Sequence, residues 1–515
     1  MDTDLLYKLI ALIVYASILM GIGVVASRRM KDVRDYFAGG KQLGFWSVAF
    51  SARATGESAW LLLGLTGMGA AVGLKAMWVV AGELLGVGLA WMWLAGPFKR
   101  LTDRYDSITV PDYLAARFRG GGQGLRLIAA ATLVVFVTIF VSAQLDATGQ
   151  AFEQFLGWNY YTGLLVGFFV VLLYISAGGF LAVVWSDVFQ GSLMVAGLTL
   201  LPIVGVVYAG GPGQVVDTLV ALDPNYMSWT GGEGITPLSV ASIISFFAIG
   251  LGFLGSPQVF VRFLALRDER EIPKGALVAV VWTILADTGA VLTGMVGRAI
   301  MVGDDLGTGS QNVLPLMIEV VFPAFIVGVF IAIVLSAIMS TVDSLLVVAG
   351  SAAVRDYYQC VRNPHLSDAS LVKASRVATV ALALMALLLA LLVASLSESR
   401  SIFWFVIFGW SGIAATFCPT IILSLCWSRL TALGAGCAMV TGFLCVPLFK
   451  FVIADLPTVG PFFTALEELA PAFLISGVVA VVVSLCDPKG REQQAEALEL
   501  LRFANQKNLP EATEK

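Results

Sequence analysis

Two clusters of small polar residues interrupt apolar runs, and their residue types suit the binding of a hard monovalent cation. The first is SARATGESAW, residues 51–60, between the apolar runs 45–50 and 61–73. Here Ala52, Ala54, Gly56 and Ala59 alternate with the hydroxyls of Ser51, Thr55 and Ser58, beside Arg53 and Glu57. Such a stretch tolerates unwinding, and unwound backbone frees carbonyl oxygens that ligate sodium well. The second cluster is AIMSTVDS, residues 337–344. Ser340 and Ser344 stand at i and i+4 on one helical face, with Thr341 next to Ser340. Ala337 precedes Ser340 by three residues, which sets its carbonyl near that face. Hydroxyls plus freed carbonyls make an all-oxygen site. Hydroxyls also serve as glue between membrane helices, and the residues alone leave both readings open.

Charged groups inside apolar runs are costly, at about +2.5 to +3.5 kcal/mol near the centre of a membrane helix. This chain keeps Arg53, Glu57, Glu83, Asp146, Asp187, Asp287 and Asp343 there. A single such residue reads equally well as a packing pair. A cluster beside helix breakers reads as an ion or solute pathway.

The elements that hold these residues follow from composition. Of 515 residues, 58% are hydrophobic and 13% charged, with mean hydropathy +0.88. Soluble domains carry about 25% charged residues, so this is an all-α polytopic membrane protein. Apolar runs fall near 4–26, 45–71, 76–97, 126–152, 161–178, 186–209, 238–261, 276–300, 321–349, 373–396, 402–426, 431–453 and 467–485. They predict about thirteen membrane segments, numbered here in chain order. The first is followed by SRRMK, residues 27–31, and reads as a retained span rather than a signal peptide.

Arg28, Arg29, Lys31, Arg34 and Lys41 crowd the first loop, and Lys99, Arg100, Arg104, Arg117 and Arg119 the third. Loops 210–237 and 302–320 carry acids without Lys or Arg. Basic loops face the cytoplasm, so an odd segment count predicts the N-terminus outside and the C-terminus inside. ITVPDYLAARF, residues 108–118, predicts a short cytoplasmic helix begun at Pro111. The charged tail from Asp487 predicts partial helix and no catalytic domain.

Several function classes lack their residues. The six cysteines have no paired metal spacing, and Cys418, Cys426, Cys437 and Cys445 sit in apolar runs. The single histidine, His365, lies in a polar loop. No nucleophile elbow, phosphate loop or channel-filter repeat is present, so an enzyme is not expected. No basic patch with interleaved aromatics suggests nucleic acid.

Five stretches, in order and spacing, resemble motifs of the solute:sodium symporter family, and of its sodium/proline symporter branch most closely. They are DYFAGGKQLG (35–44), VPDY (110–113), GGFLAVVWSDVFQ (178–190), GLGFLGSP (250–257) and MSTVDSLL (339–346). The resemblance runs along nearly the whole chain. It implies the leucine-transporter fold, two inverted five-helix repeats, here 45–209 and 238–427. Residues 1–44 would add an N-terminal helix and loop, 428–486 the C-terminal helices, and 487–515 a cytoplasmic tail. Segments two and seven would be the broken helices.

By position, the resemblance implies a sodium site made by the carbonyls of Ala54, Glu57 and Ala337 with the hydroxyls of Ser340 and Thr341. It assigns Asp187 to sodium-dependent function, and Asp343 and Ser344 to a second cation site in some members. Trp60 matches a tryptophan that packs on the solute. The other solute contacts depart from the branch: Phe140 for tyrosine, Ile249 for tryptophan, Phe253 for tyrosine and Ser256 for glutamine, with Gln144 adding polarity. Gly56 stands where the branch has an aspartate, and Glu57 where it has a non-acidic residue. Arg53 is unusual beside a cation site and is placed to pair with Glu57, Asp187 or Asp343.

The function these residues imply is sodium-coupled import of a small polar solute, proline or another amino acid first, across a bacterial inner membrane by alternating access. Sodium is the coupling ion, no cofactor is expected, membrane lipid is the surroundings, and no feature sets an oligomeric state. One alternative keeps the fold and uses protons, with Glu57, Asp187 or Asp343 titrating and Arg53 replacing the cation. A transporter-like sensor is a further alternative, against which the short tail argues.

Overall fold

The computed structural model describes residues 3–29, 33–118, 120–177, 179–232, 234–363, 365, 367–396, 401–494 and 496–505. Lys31, Arg119, Gly178 and the end of the charged tail, 506–515, lie outside the described residues. The described chain is helical, with one isolated β-bridge between Leu43 and Leu266.

Among the described residues, ten helices are long and apolar enough to cross a membrane, eleven if a bent pair counts as one span. Thirteen were expected. The 45-residue run Trp60–Arg104 counts the end of segment two and segment three as one, although they part at Gly73, whose backbone is non-helical (φ 59°, ψ −135°). Segment five is the 18-residue helix Tyr160–Ala177, close to the expected 161–178. Segment thirteen is the bent pair, Gly460–Leu466 and Leu469–Leu485, at 90°.

Large apolar residues also cover the outside, among them Ile13, Met92, Val207 and Leu388. That pattern suits a hydrocarbon solvent, which makes an outward leucine cost nothing. Packing between helices then depends on close backbone approach. Segments three and seven meet through glycines: a Cβ on Gly250 would stand 1.9 Å from the Gly82 carbonyl oxygen.

Two of the helices are interrupted. Helix Phe45–Gly56 stops at Glu57, whose backbone is extended (φ −87°, ψ 152°), and the chain resumes helically at Ala59. Segment seven runs as Pro237–Ala248 and a tighter turn Ile249–Leu254, then restarts at Pro257 as Pro257–Ala265. Proline has no N–H to lose at a helix start, so it sits well there. Both breaks fall where small and breaking residues predicted them. Helix Phe45–Gly56 packs against segments six, eight and nine and the second half of segment seven.

The expected loop helix spans Val110–Arg117, capped by the Thr109 hydroxyl, which accepts from the Asp112 N–H at 3.0 Å. The described part of the tail forms Pro488–Gln493 and Ala497–Asn505. Arg100 donates to the Ala504 carbonyl, and the Arg104 guanidinium lies 4.9 Å from the Phe503 ring.

Candidate sodium and solute site

The helix break places three main-chain carbonyls against segment nine, helix Ala324–Ser351. The Ser340 hydroxyl lies 2.9 Å from the Ala54 carbonyl oxygen and 3.2 Å from that of Ala337. The Thr341 hydroxyl lies 3.0 Å from the Glu57 carbonyl oxygen and 3.2 Å from those of Thr55 and Ala337. All of these residues are fully or almost fully buried. Every oxygen of the expected set thus converges on one spot, and the Thr55 carbonyl joins them. The carbonyls are available because Glu57 leaves the helix, so residues 58–61 cannot bond back to them in register. A neutral, all-oxygen donor set fits a monovalent ion of sodium's hardness.

The second half of segment two begins with an orphan N–H. Ala59 donates it to Gln144 Oε1 at 3.1 Å, and Gln144 Nε2 donates to Ser58 Oγ at 3.0 Å. Gln144 therefore works as a cap from segment four. Trp60 Nε1 donates to the Gly56 carbonyl at 3.3 Å, which folds the indole back over the break.

Of the expected solute contacts, Phe140, Ile249 and Phe253 gather around Trp410, a residue the sequence reading did not single out. Trp410 Nε1 donates to the Ile249 carbonyl at 2.9 Å, and its ring centroid lies 5.0 Å from Phe253 and 6.4 Å from Phe140. Ser256 faces Cys418 at 3.9 Å. Asp146 stands apart from this group: Tyr160 and Gln150 donate to it at 2.6 Å each, a packing role.

Phe253 also explains Gly56. A Cβ at Gly56 would stand 2.4 Å from the Phe253 ring. The aspartate of the proline-symporter pattern has no room here. Gly56→Ala is expected to lose about 1–3 kcal/mol by overpacking, and Phe253→Leu in the same chain to recover part of it. Thermal unfolding in detergent measures this, and an unchanged single variant would count against the packing.

The charges sort into two groups, which the sequence reading mixed. Arg53 pairs with Glu57, as expected, and also with Glu83 at 2.9 Å and Asp287 at 3.6 Å. Its guanidinium lies 4.7 Å from the Phe253 ring and 5.3 Å from Trp282. Arg53 pairs with neither Asp187 nor Asp343 in this arrangement.

The second group belongs to Arg262, which was missed because it lies one residue beyond the run drawn for segment seven. Arg262 pairs with Asp187 at 3.3 Å and donates to Ser51 Oγ at 3.0 Å, to the Gln258 carbonyl at 2.6 Å, and to Ser344 Oγ. Asp187 accepts from Ser51 at 2.6 Å, Ser344 lies 2.9 Å from Thr55 Oγ1, and Ser344 donates to Asp343 at 3.3 Å. Asp187, Asp343 and Ser344 are therefore neighbours, with a guanidinium among them.

Interrupted helices packed against intact ones, with polar groups and free carbonyls at the breaks, define a secondary transporter of the leucine-transporter fold. A solved Na+-coupled sialic acid symporter, in a substrate-bound outward-open state, matches with TM-score 0.76 at 19% identity, over 93% of this chain and 97% of that one. The family model "Sodium:solute symporter family" matches residues 36–442. The high-affinity proline transporter PutP of Bacillus subtilis is 37% identical over 82% of this chain and 87% of its own length. The sodium/proline symporter of Escherichia coli is 32% identical over 93% and 92%. The chain belongs to the sodium:solute symporter family, and is a multi-pass symporter rather than an enzyme.

Proposed function

We propose that this protein imports proline, or another amino acid, with sodium across a bacterial plasma membrane. The reading is carried by one observation: the hydroxyls of Ser340 and Thr341 meet the carbonyls of Ala54, Glu57 and Ala337 at the break of segment two. Sodium bound by those oxygens ties segment two to segment nine. Segment two also carries Trp60, so the ion sets the position of a solute contact. Phe140, Gln144, Ile249, Phe253 and Ser256 complete the solute side, with Trp410 as their common neighbour. The choice of proline is supported by the proline transporters among its relatives.

Coupling requires that sodium favour one conformation over the other. A coupling free energy of about 1–3 kcal/mol changes solute affinity roughly 5–150-fold. The two repeats, 45–209 and 238–427, rock against each other around this site. Residues 1–44 and 428–486 flank them, and the tail 487–515 lies in the cytoplasm, with the N-terminus outside.

Purified protein in proteoliposomes should accumulate labelled proline under an inward sodium gradient and fail to do so when potassium replaces sodium. Accumulation driven by a pH gradient without sodium would overturn sodium coupling. Stronger competition by a different amino acid would replace proline as the solute.

A further inference from the structure

Arg53, Glu57, Glu83 and Asp287 form a second charged centre, beside the hydroxyl–carbonyl site. The ligand oxygens of Glu57, Glu83 and Asp287 all lie within 4.8 Å of one another, and all three residues are fully buried. One guanidinium faces three carboxylates, and Glu83 and Asp287 stand within hydrogen-bond reach of each other, so with all three ionised two negative charges go unmatched. Arg262 does not supply one, since it is matched by Asp187.

Buried charge without a counter-charge is among the most expensive arrangements in a protein. The hydrogen bonding is incomplete as well. Glu57 Oε2, Glu83 Oε1 and both oxygens of Asp287 have no hydrogen-bond partner among the described residues. Arg53, 1% exposed and aimed into the centre, leaves Nε and Nη1 without acceptors. Carboxylate oxygens from three different segments thus converge beside one guanidinium, and several of them lack a hydrogen-bond partner.

We propose that this centre is a binding site for a monovalent cation, separate from the Ser340–Thr341 site. The cation is a sodium ion or the ammonium group of the transported solute. Both present one positive charge to carboxylate oxygens. Phe253, which touches both the Arg53 guanidinium and Trp410, connects the centre to the expected solute contacts. The ammonium source rests on the amino-acid import proposed above; the sodium source does not.

Direct sodium binding, measured with the radioactive ion on protein in nanodiscs without solute, separates the sources. For a sodium site, binding includes a component that survives Ser340→Ala plus Thr341→Ala and disappears in Asp287→Asn and in Glu83→Gln. For an ammonium site, sodium binding is the same in Asp287→Asn as in the wild type, while proline affinity falls at least tenfold. The proposal is overturned if Asp287→Asn and Glu83→Gln both change neither quantity. It is also overturned if infrared spectra of the wild type at neutral pH show protonated carboxyl bands that vanish in these variants and do not respond to sodium or proline, since protons would then supply the missing charge. A failed proline arm with an intact sodium component separates failure of the amino-acid reading from failure of the site.

Discussion

Replacing Ser340 and Thr341 together by alanine should raise the sodium concentration for half-maximal uptake by about 10–100-fold. A hydroxyl bonded to a charged group contributes about 1.5–3 kcal/mol, and each 1.4 kcal/mol is a factor of ten. Two such ligands could contribute more, but the three carbonyls remain and water can fill part of the gap, which lowers the expectation. Maximal uptake at saturating sodium should change much less, because the lost contacts belong to the ion. This separates a ligand role from hydroxyl glue. As glue, the pair holds segment two to segment nine through bonds of 2.9 and 3.0 Å. Its loss would then lower stability and uptake at every sodium concentration. Ser336→Ala is a useful comparison, since that hydroxyl bonds Tyr15 on the first segment at 3.1 Å and touches neither break. Sodium-titrated uptake in proteoliposomes decides the matter. An unchanged half-saturation in the double variant sinks the site.

Arg53→Gln should be the most damaging single change for stability. It removes the only guanidinium within ion-pair distance of Glu57, Glu83 and Asp287 among the described residues and leaves three carboxylates at 0% exposure. Breaking a buried ion pair by removing one partner costs about 3–5 kcal/mol. The packing against Phe253 and Trp282 is lost as well. Arg53→Lys should not rescue it, because a single ammonium cannot meet three acceptors on different helices as a planar fork does. Glu57→Gln in the Arg53→Gln background should restore part of the loss by removing one unmatched charge. Thermal unfolding in detergent, at fixed sodium, is the measurement. A single variant within about 1 kcal/mol of the wild type would mean that the carboxylates are already neutral, and the charge argument for the second centre would fail with it.

Much of this site was legible in the sequence because it depends on local rules. The break at 56–60 follows from small residues and hydroxyls inside an apolar run. The Ser340–Ser344 face follows from helical spacing. The motif resemblance then joined the two, and the hydroxyls do meet the carbonyls of Ala54 and Glu57. Segment boundaries were less legible. The turn at Gly73 between segments two and three, and the 90° bend between Gly460–Leu466 and Leu469–Leu485, depend on backbone geometry, which hydropathy does not register.

What the sequence by itself determined, then, is an all-helical membrane protein, the place where its second segment breaks, and the hydroxyl face that meets the break. These are properties of neighbouring residues, read through periodicity and composition. Only the tertiary structure decided which charge meets which. From sequence, Arg53 was equally placed for Glu57, Asp187 and Asp343. In the fold, Arg262, 75 positions from Asp187, takes that partner, and Arg53 turns instead to Glu83 and Asp287. A guanidinium on a flexible stem sweeps a wide arc, so chain position hardly restricts its choice. The restriction comes from burial: once the helices pack, each buried charge must find an opposite one within reach, and that geometry exists only when the distant segments come together.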